Sequence, residues 1–143
     1  MWFWTIRDLL NRIALQNQQV IYDILFRAGS ETLLELGHDP KHLGGDIGFM
    51  AILHTWGFCM IDHPHLHCVV PGGGLSEDEV EWLRPKKSKK KKKFFVHVNI
   101  ISDLFRGKFI AYLSQAYQKG ALTFDGQIAY LETHRTSGIL RIK

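Results

Sequence analysis

Between His63 and Gly74 the chain reads HPHLHCVVPGGG, histidines alternating with apolar residues inside a frame of proline and glycine. Side chains of an extended strand point to opposite faces in turn. The spacing therefore predicts a strand from His65 to Val70 with His65, His67 and Val69 on one face and Leu66, Cys68 and Val70 on the other. Pro64 kinks the chain before it, and Pro71 with Gly72, Gly73 and Gly74 closes it. Two imidazoles projecting side by side can converge on one cation, but a strand supplies only two adjacent ligands. A third must come from elsewhere, and His54 on the preceding strand is the best candidate, with Asp62 and His63 as alternatives.

The rest of the chain supplies elements to support such a strand. Apolar residues recur at helical spacing from about Asp8 to Leu36, as one long helix or two, with Gly29 and Ser30 the expected joint and Gly37 and Asp39-Pro40 the stop. Ile47 to Trp56, set between glycines and rich in β-branched and aromatic residues, reads as a strand. Leu75 to Lys93 reads as an exposed loop or irregular hairpin, and Phe94 to Val98 as a further strand. Asn99 or Ser102 can cap a helix whose stripe of Ile101, Leu104, Phe105, Phe109, Tyr112, Leu113 and Ala116 faces the core and which ends near Gly120. Leu122 to Phe124 forms a short edge strand, and Asp125-Gly126 turns out of it. The expected fold class is α+β: an antiparallel sheet with the histidine strand central, helices packed on one face, and an incomplete C-terminus.

Composition narrows the function classes. With 45% hydrophobic and 22% charged residues the chain has the balance of a folded globular protein. The net charge of +4 is concentrated: seven basic residues, Lys86, Lys87 and Lys89 to Lys93, lie in one run, and without them eleven basic residues face fourteen acidic ones. The basic character thus belongs to one segment rather than to a face. Two cysteines, Cys59 and Cys68, are too few for a disulfide framework, which makes a reducing cytoplasmic compartment the expectation. No apolar stretch approaches the ~20 residues of a membrane helix.

Four ordered segments carry a family resemblance: IYDILFRAGSETLLELG from Ile21, DPKHLGGDIGF from Asp39, ILHTWGFCMIDHPHLHCVVPGGGLS from Ile52 and LFRGKFIAYLSQAYQKG from Leu104. Together they resemble the rolling-circle insertion-sequence transposases with paired catalytic tyrosines, over roughly Leu15 to Leu131. Within that resemblance His65-Leu66-His67 falls on the motif that names the HUH endonuclease superfamily, and the resemblance implies a ferredoxin-like core. It also implies a divalent ion, magnesium or manganese rather than zinc, and single-stranded DNA at transposon ends as the partner. In such chemistry the ion polarises the scissile phosphate and a tyrosine oxygen attacks it, conserving the bond as a 5′-phosphotyrosine.

The match to the family pattern is expected to stop near Leu131, dividing the chain into a partial transposase domain, 1–131, and a divergent tail, 132–143. The A-rich codons of the lysine run fit a decayed, frame-shifted copy. Only Tyr130 stands near the tail's Thr133-His134-Arg135, so no nucleophile is assigned, and Tyr22, Tyr112 and Tyr117 are read as packing residues. For phosphate contacts the expected residues are Arg106 and Lys108, in the family-like LFRGKF stretch, together with Lys89, Lys90 and Lys91. A DNA-binding remnant without cleavage is the alternative function.

Overall fold

A computed structural model describes residues 8–56, 62–85 and 96–133. The order is α1 (Asp8–Gln16), α2 (Gln18–His38), β1 (Met50–Trp56), β2 (Asp62–Val69), β3 (Gly74–Leu75), β4 (Trp82–Leu83), α3 (Val98–Gln118), a 3-10 turn at Gly126–Ile128 and α4 (Tyr130–Thr133). The class is α+β with antiparallel sheets, as expected. β1 pairs with β2 and β3 with β4. Among the described residues β2 has β1 as its one strand neighbour, so the central position expected for the histidine strand is not observed there.

The helix joint falls at Asn17, not at Gly29–Ser30. α2 runs unbroken through Gly29 because its buried face is continuous: Ile21, Ile24, Leu25, Ala28, Thr32, Leu33 and Leu36 follow helical spacing. A glycine inside a helix costs about 1 kcal/mol relative to alanine, less than burying several of these side chains returns at ~1.5–3 kcal/mol each. Thr32, fully buried, satisfies its hydroxyl on the Ala28 carbonyl at 2.7 Å.

Asn17 turns the chain for a tertiary reason. Its amide Nδ2 donates to the carbonyls of Ile13 (2.9 Å) and Thr123 (2.8 Å), and its Oδ1 accepts from Thr123 N (2.7 Å). Next to it the Gln16 amide donates to Asp125 O at 3.1 Å and accepts from Asp125 N at 2.8 Å. Two side-chain amides thus serve the backbone of alternate residues as a neighbouring strand would. Leu122–Phe124, expected as an edge strand, takes these partners in place of strand pairing among the described residues; Leu122 and Phe124 are buried beside it.

α3 starts earlier than expected. The end of the strand anticipated over Phe94–Val98 is instead the entry to this helix, with the His97 imidazole accepting from Asn99 N at 3.3 Å as its cap; Phe94 lies outside the described residues. The helix closes as foreseen at Gly120, whose φ of 70° suits glycine. There the Gly120 N–H meets Tyr117 O and the Ala121 N–H meets Ala116 O, the paired bonds of a Schellman ending. α2 packs against both β2 and α3, and α1 against β2 and α2.

The sheet reaches that layer through Leu66 and Cys68, each 1% exposed. β1 begins at Met50, after a bridge between Asp46 and Leu75 that ties the start of the strand to β3. Gly74 is needed at that bridge, since a Cβ there would stand 2.3 Å from Asp46 O.

Candidate metal centre

β1 and β2 form an antiparallel ladder in which Met50 faces Val69, Ile52 faces His67 and His54 faces His65. Residues at every second position share a face, so three rows line one side of the hairpin: His54 with His65, Ile52 with His67, Met50 with Val69. The other side carries Leu66 and Cys68 into the core. That burial locks the register, because a slip of one residue would exchange the buried pair for imidazoles.

The strand continues past its expected start, back to Asp62, and contains Pro64. From His54 to Trp56 β1 advances two residues while β2 advances three, from His65 to Asp62, so the ladder carries a bulge at His63 and Pro64. Proline has no N–H to give to a ladder and is accommodated at such a bulge. The irregularity sits next to His65.

The three imidazoles converge. Ring centroids are 4.0 Å apart for His54 and His67, 4.8 Å for His65 and His67, and 5.4 Å for His54 and His65. One nitrogen from each ring lies within 4.8 Å of the other two. Three nitrogens around an ion at bonds of about 2.1 Å lie roughly 3.4 Å apart in a tetrahedral arrangement, so modest ring rotations bring this triad onto an ion. His65 is 8% exposed and the other two are half-buried. Burial, then the neighbouring His54 and His65, hold the His67 imidazole below the usual histidine range, which favours its neutral, ligating form. The donor set suits a first-row divalent ion with open positions for water or substrate. The Asp62 and His63 side chains, the alternative third ligands, lie outside the described residues.

The expected DNA contacts are dispersed. Arg106 is exposed on α3 and pairs with Asp103 at 2.9 Å. Lys108 is held between helices, its ammonium 2.8 Å from Glu35 and 3.8 Å from Glu31. Glu31 also accepts from the Tyr112 hydroxyl and pairs with Arg27 at 3.0 Å, and the Arg27 guanidinium stands 4.1 Å above the Tyr112 ring. Sequence reasoning missed this network, although the four-residue steps Arg27, Glu31 and Glu35 on one helix signal it. Lys89, Lys90 and Lys91 lie outside the described residues. Tyr112 and Tyr117 pack as expected, Tyr117 being 1% exposed with its hydroxyl on Leu131 O at 2.6 Å, while Tyr130 is exposed.

The sequence profile of a family described as "Putative transposase" matches residues 48–140. The chain belongs to this transposase family. The matched region contains both histidine strands and α3 and continues beyond Leu131. A protein of Sinorhizobium fredii described as "Putative transposase y4qJ" is 46% identical over 128 residues, which is 90% of this chain and 31% of the relative. The transposase for insertion sequence element IS801 of Pseudomonas savastanoi pv. phaseolicola is 34% identical over 77 residues, 54% of this chain and 18% of the relative. The chain therefore spans about a third or less of the length of these relatives. No solved structure matches it. Among the described residues no helix is long and apolar enough to cross a membrane.

Proposed function

We propose that this transposase chain holds a divalent ion on His54, His65 and His67 and presents it to a phosphate of single-stranded DNA at a transposon end, the step that precedes nicking and strand transfer. The observation that carries this reading is the convergence of three imidazoles from two strands on the face opposite the core. Between magnesium and manganese, the nitrogen donors favour manganese, because magnesium prefers an all-oxygen shell. When bound, the ion supplies Lewis-acid polarisation of the phosphate. The chain's own part is to favour the neutral form of the His67 imidazole and to hold the three rings together.

Arg106 suits a phosphate contact, since its pairing with Asp103 is solvent-exposed and readily exchanged. Lys108 would first have to leave Glu35, and the lysine run, including Lys89, Lys90 and Lys91, adds long-range attraction. The packing of Tyr112 and Tyr117 favours a second reading, a DNA-binding protein that does not cleave.

Incubation with labelled single-stranded oligonucleotide and manganese tests both. Manganese-dependent binding that disappears in His65→Ala/His67→Ala, without a covalent adduct, is the expected result. Binding indifferent to metal and to that substitution leaves the remnant reading. An adduct mapping to a tyrosine of this chain would overturn the view that these 143 residues alone form no phosphotyrosine.

A further inference from the structure

The histidine face of the β1–β2 hairpin continues past the metal ligands into apolar residues turned to solvent: Ile52 is 45% exposed, Met50 60% and Val69 53%. Their placement follows from the register. Ile52 stands opposite His67, and Met50 opposite Val69 one row further from His54 and His65. The buried face of the same strands is filled by Leu66 and Cys68, so this apolar surface is not core that has come loose. It is a flat shelf continuous with the cation site.

We propose that Ile52, Met50 and Val69 form a base-binding shelf, which seats the nucleobases next to the phosphate held at the histidines. The inference rests on the proposed function and deepens it by naming where the bases go. Same-face rows of a strand are about 6.7 Å apart, roughly double the 3.4 Å step of stacked duplex DNA. A strand pulled out of its stack therefore advances about one nucleotide per row. With its phosphate at the histidine triad, whose second row Ile52 shares with His67, that nucleotide's own base meets Ile52 and the next base meets Met50 and Val69. Aliphatic side chains cover a base's flat face without reading its hydrogen-bonding edge, so the shelf takes any sequence but rejects paired bases, whose faces are occupied in the duplex. The combination also selects the occupant: an anionic oxygen at one end and apolar faces spaced along an extended backbone are properties of a single strand.

The test uses the full chain with Met50→Thr/Ile52→Thr/Val69→Thr, exposed positions where threonine suits a strand. Metal affinity is read by manganese titration, and DNA affinity by fluorescence anisotropy with a single-stranded oligonucleotide and with its abasic counterpart. The expected result is unchanged manganese affinity and about tenfold weaker binding of the normal oligonucleotide, the two aliphatic base contacts together being worth about as much as one aromatic stacking contact. The abasic strand should bind both proteins equally. Equal affinity of variant and parent for the normal strand overturns the shelf. A change in oligomeric state by sedimentation, with DNA affinity intact, overturns it too and makes the face a protein contact. Failure of the function reading looks different: the parent chain then shows no manganese-dependent DNA binding, or His65→Ala leaves manganese affinity unaltered.

Discussion

Removing one imidazole from the triad gives a sharp test of the metal centre, because ligand binding adds to folding stability by mass action. An ion present at about a hundredfold above its dissociation constant stabilises the folded state by ~2.7 kcal/mol. For a chain of this length that raises the melting temperature by roughly 10 °C, at about 4 °C per kcal/mol. His65 and His67 sit at alternate positions of β2 and His54 directly across from His65, so deleting any one leaves two nitrogens. At the same ion concentration a two-imidazole site should be less than half occupied, worth under ~0.4 kcal/mol and a shift of about 2 °C or less. The assay is thermal unfolding of the parent, His65→Ala and His67→Ala with and without manganese. Each protein serves as its own reference, which cancels any effect of the substitution on the metal-free fold. His97→Asn is the control: this histidine caps α3 through Asn99 N, and asparagine caps helices equally well. A metal-induced shift that survives in His65→Ala and His67→Ala, or one lost in His97→Asn, would refute the reasoning.

Two further outcomes concern the frame around the site. Asn17→Ala removes the part-buried hydrogen bonds to the Thr123 N–H and C=O, each worth about 0.5–1.5 kcal/mol net; chemical denaturation should show a loss of ~1–3 kcal/mol with the metal affinity retained. Glu31 is held below its ordinary value of 4.5 by the Tyr112 hydroxyl first and by Arg27 next. A carboxyl depressed on folding stabilises above its unfolded pKa and loses that contribution as pH falls through the lower folded value. The parent should therefore weaken on acidification below about 4.5, and Glu31→Gln should flatten this limb of the stability profile; an identical acid limb in both proteins would count against the Arg27, Tyr112 and Lys108 network.

The alternation in His65-Leu66-His67-Cys68 was enough to assign opposite faces, since strand parity is local and needs no partner. The same locality explains why α3 and its Gly120 ending were legible: a periodic stripe and a residue suited to positive φ are written in consecutive residues. What local pattern could not decide was the competition between elements. Gly29 carries a helix-breaking preference, yet it stays helical because the buried face of α2 continues on either side of it. Asn17 looks like an ordinary polar residue until Thr123, more than a hundred positions away, is brought against it. The strand expected at Leu122–Phe124 lost its pairing to side-chain amides for the same reason.

The candidate metal site divides along this line. The sequence by itself determined that His65 and His67 share a face, because two residues per strand repeat leave no other arrangement in extended chain. Only the tertiary structure decided that His54 joins them. Its place opposite His65 depends on the register of β1 against β2, and that register is set by the burial of Leu66 and Cys68 together with the bulge at Pro64, quantities that exist only once β2 has paired with β1 and packed on α1 and α2.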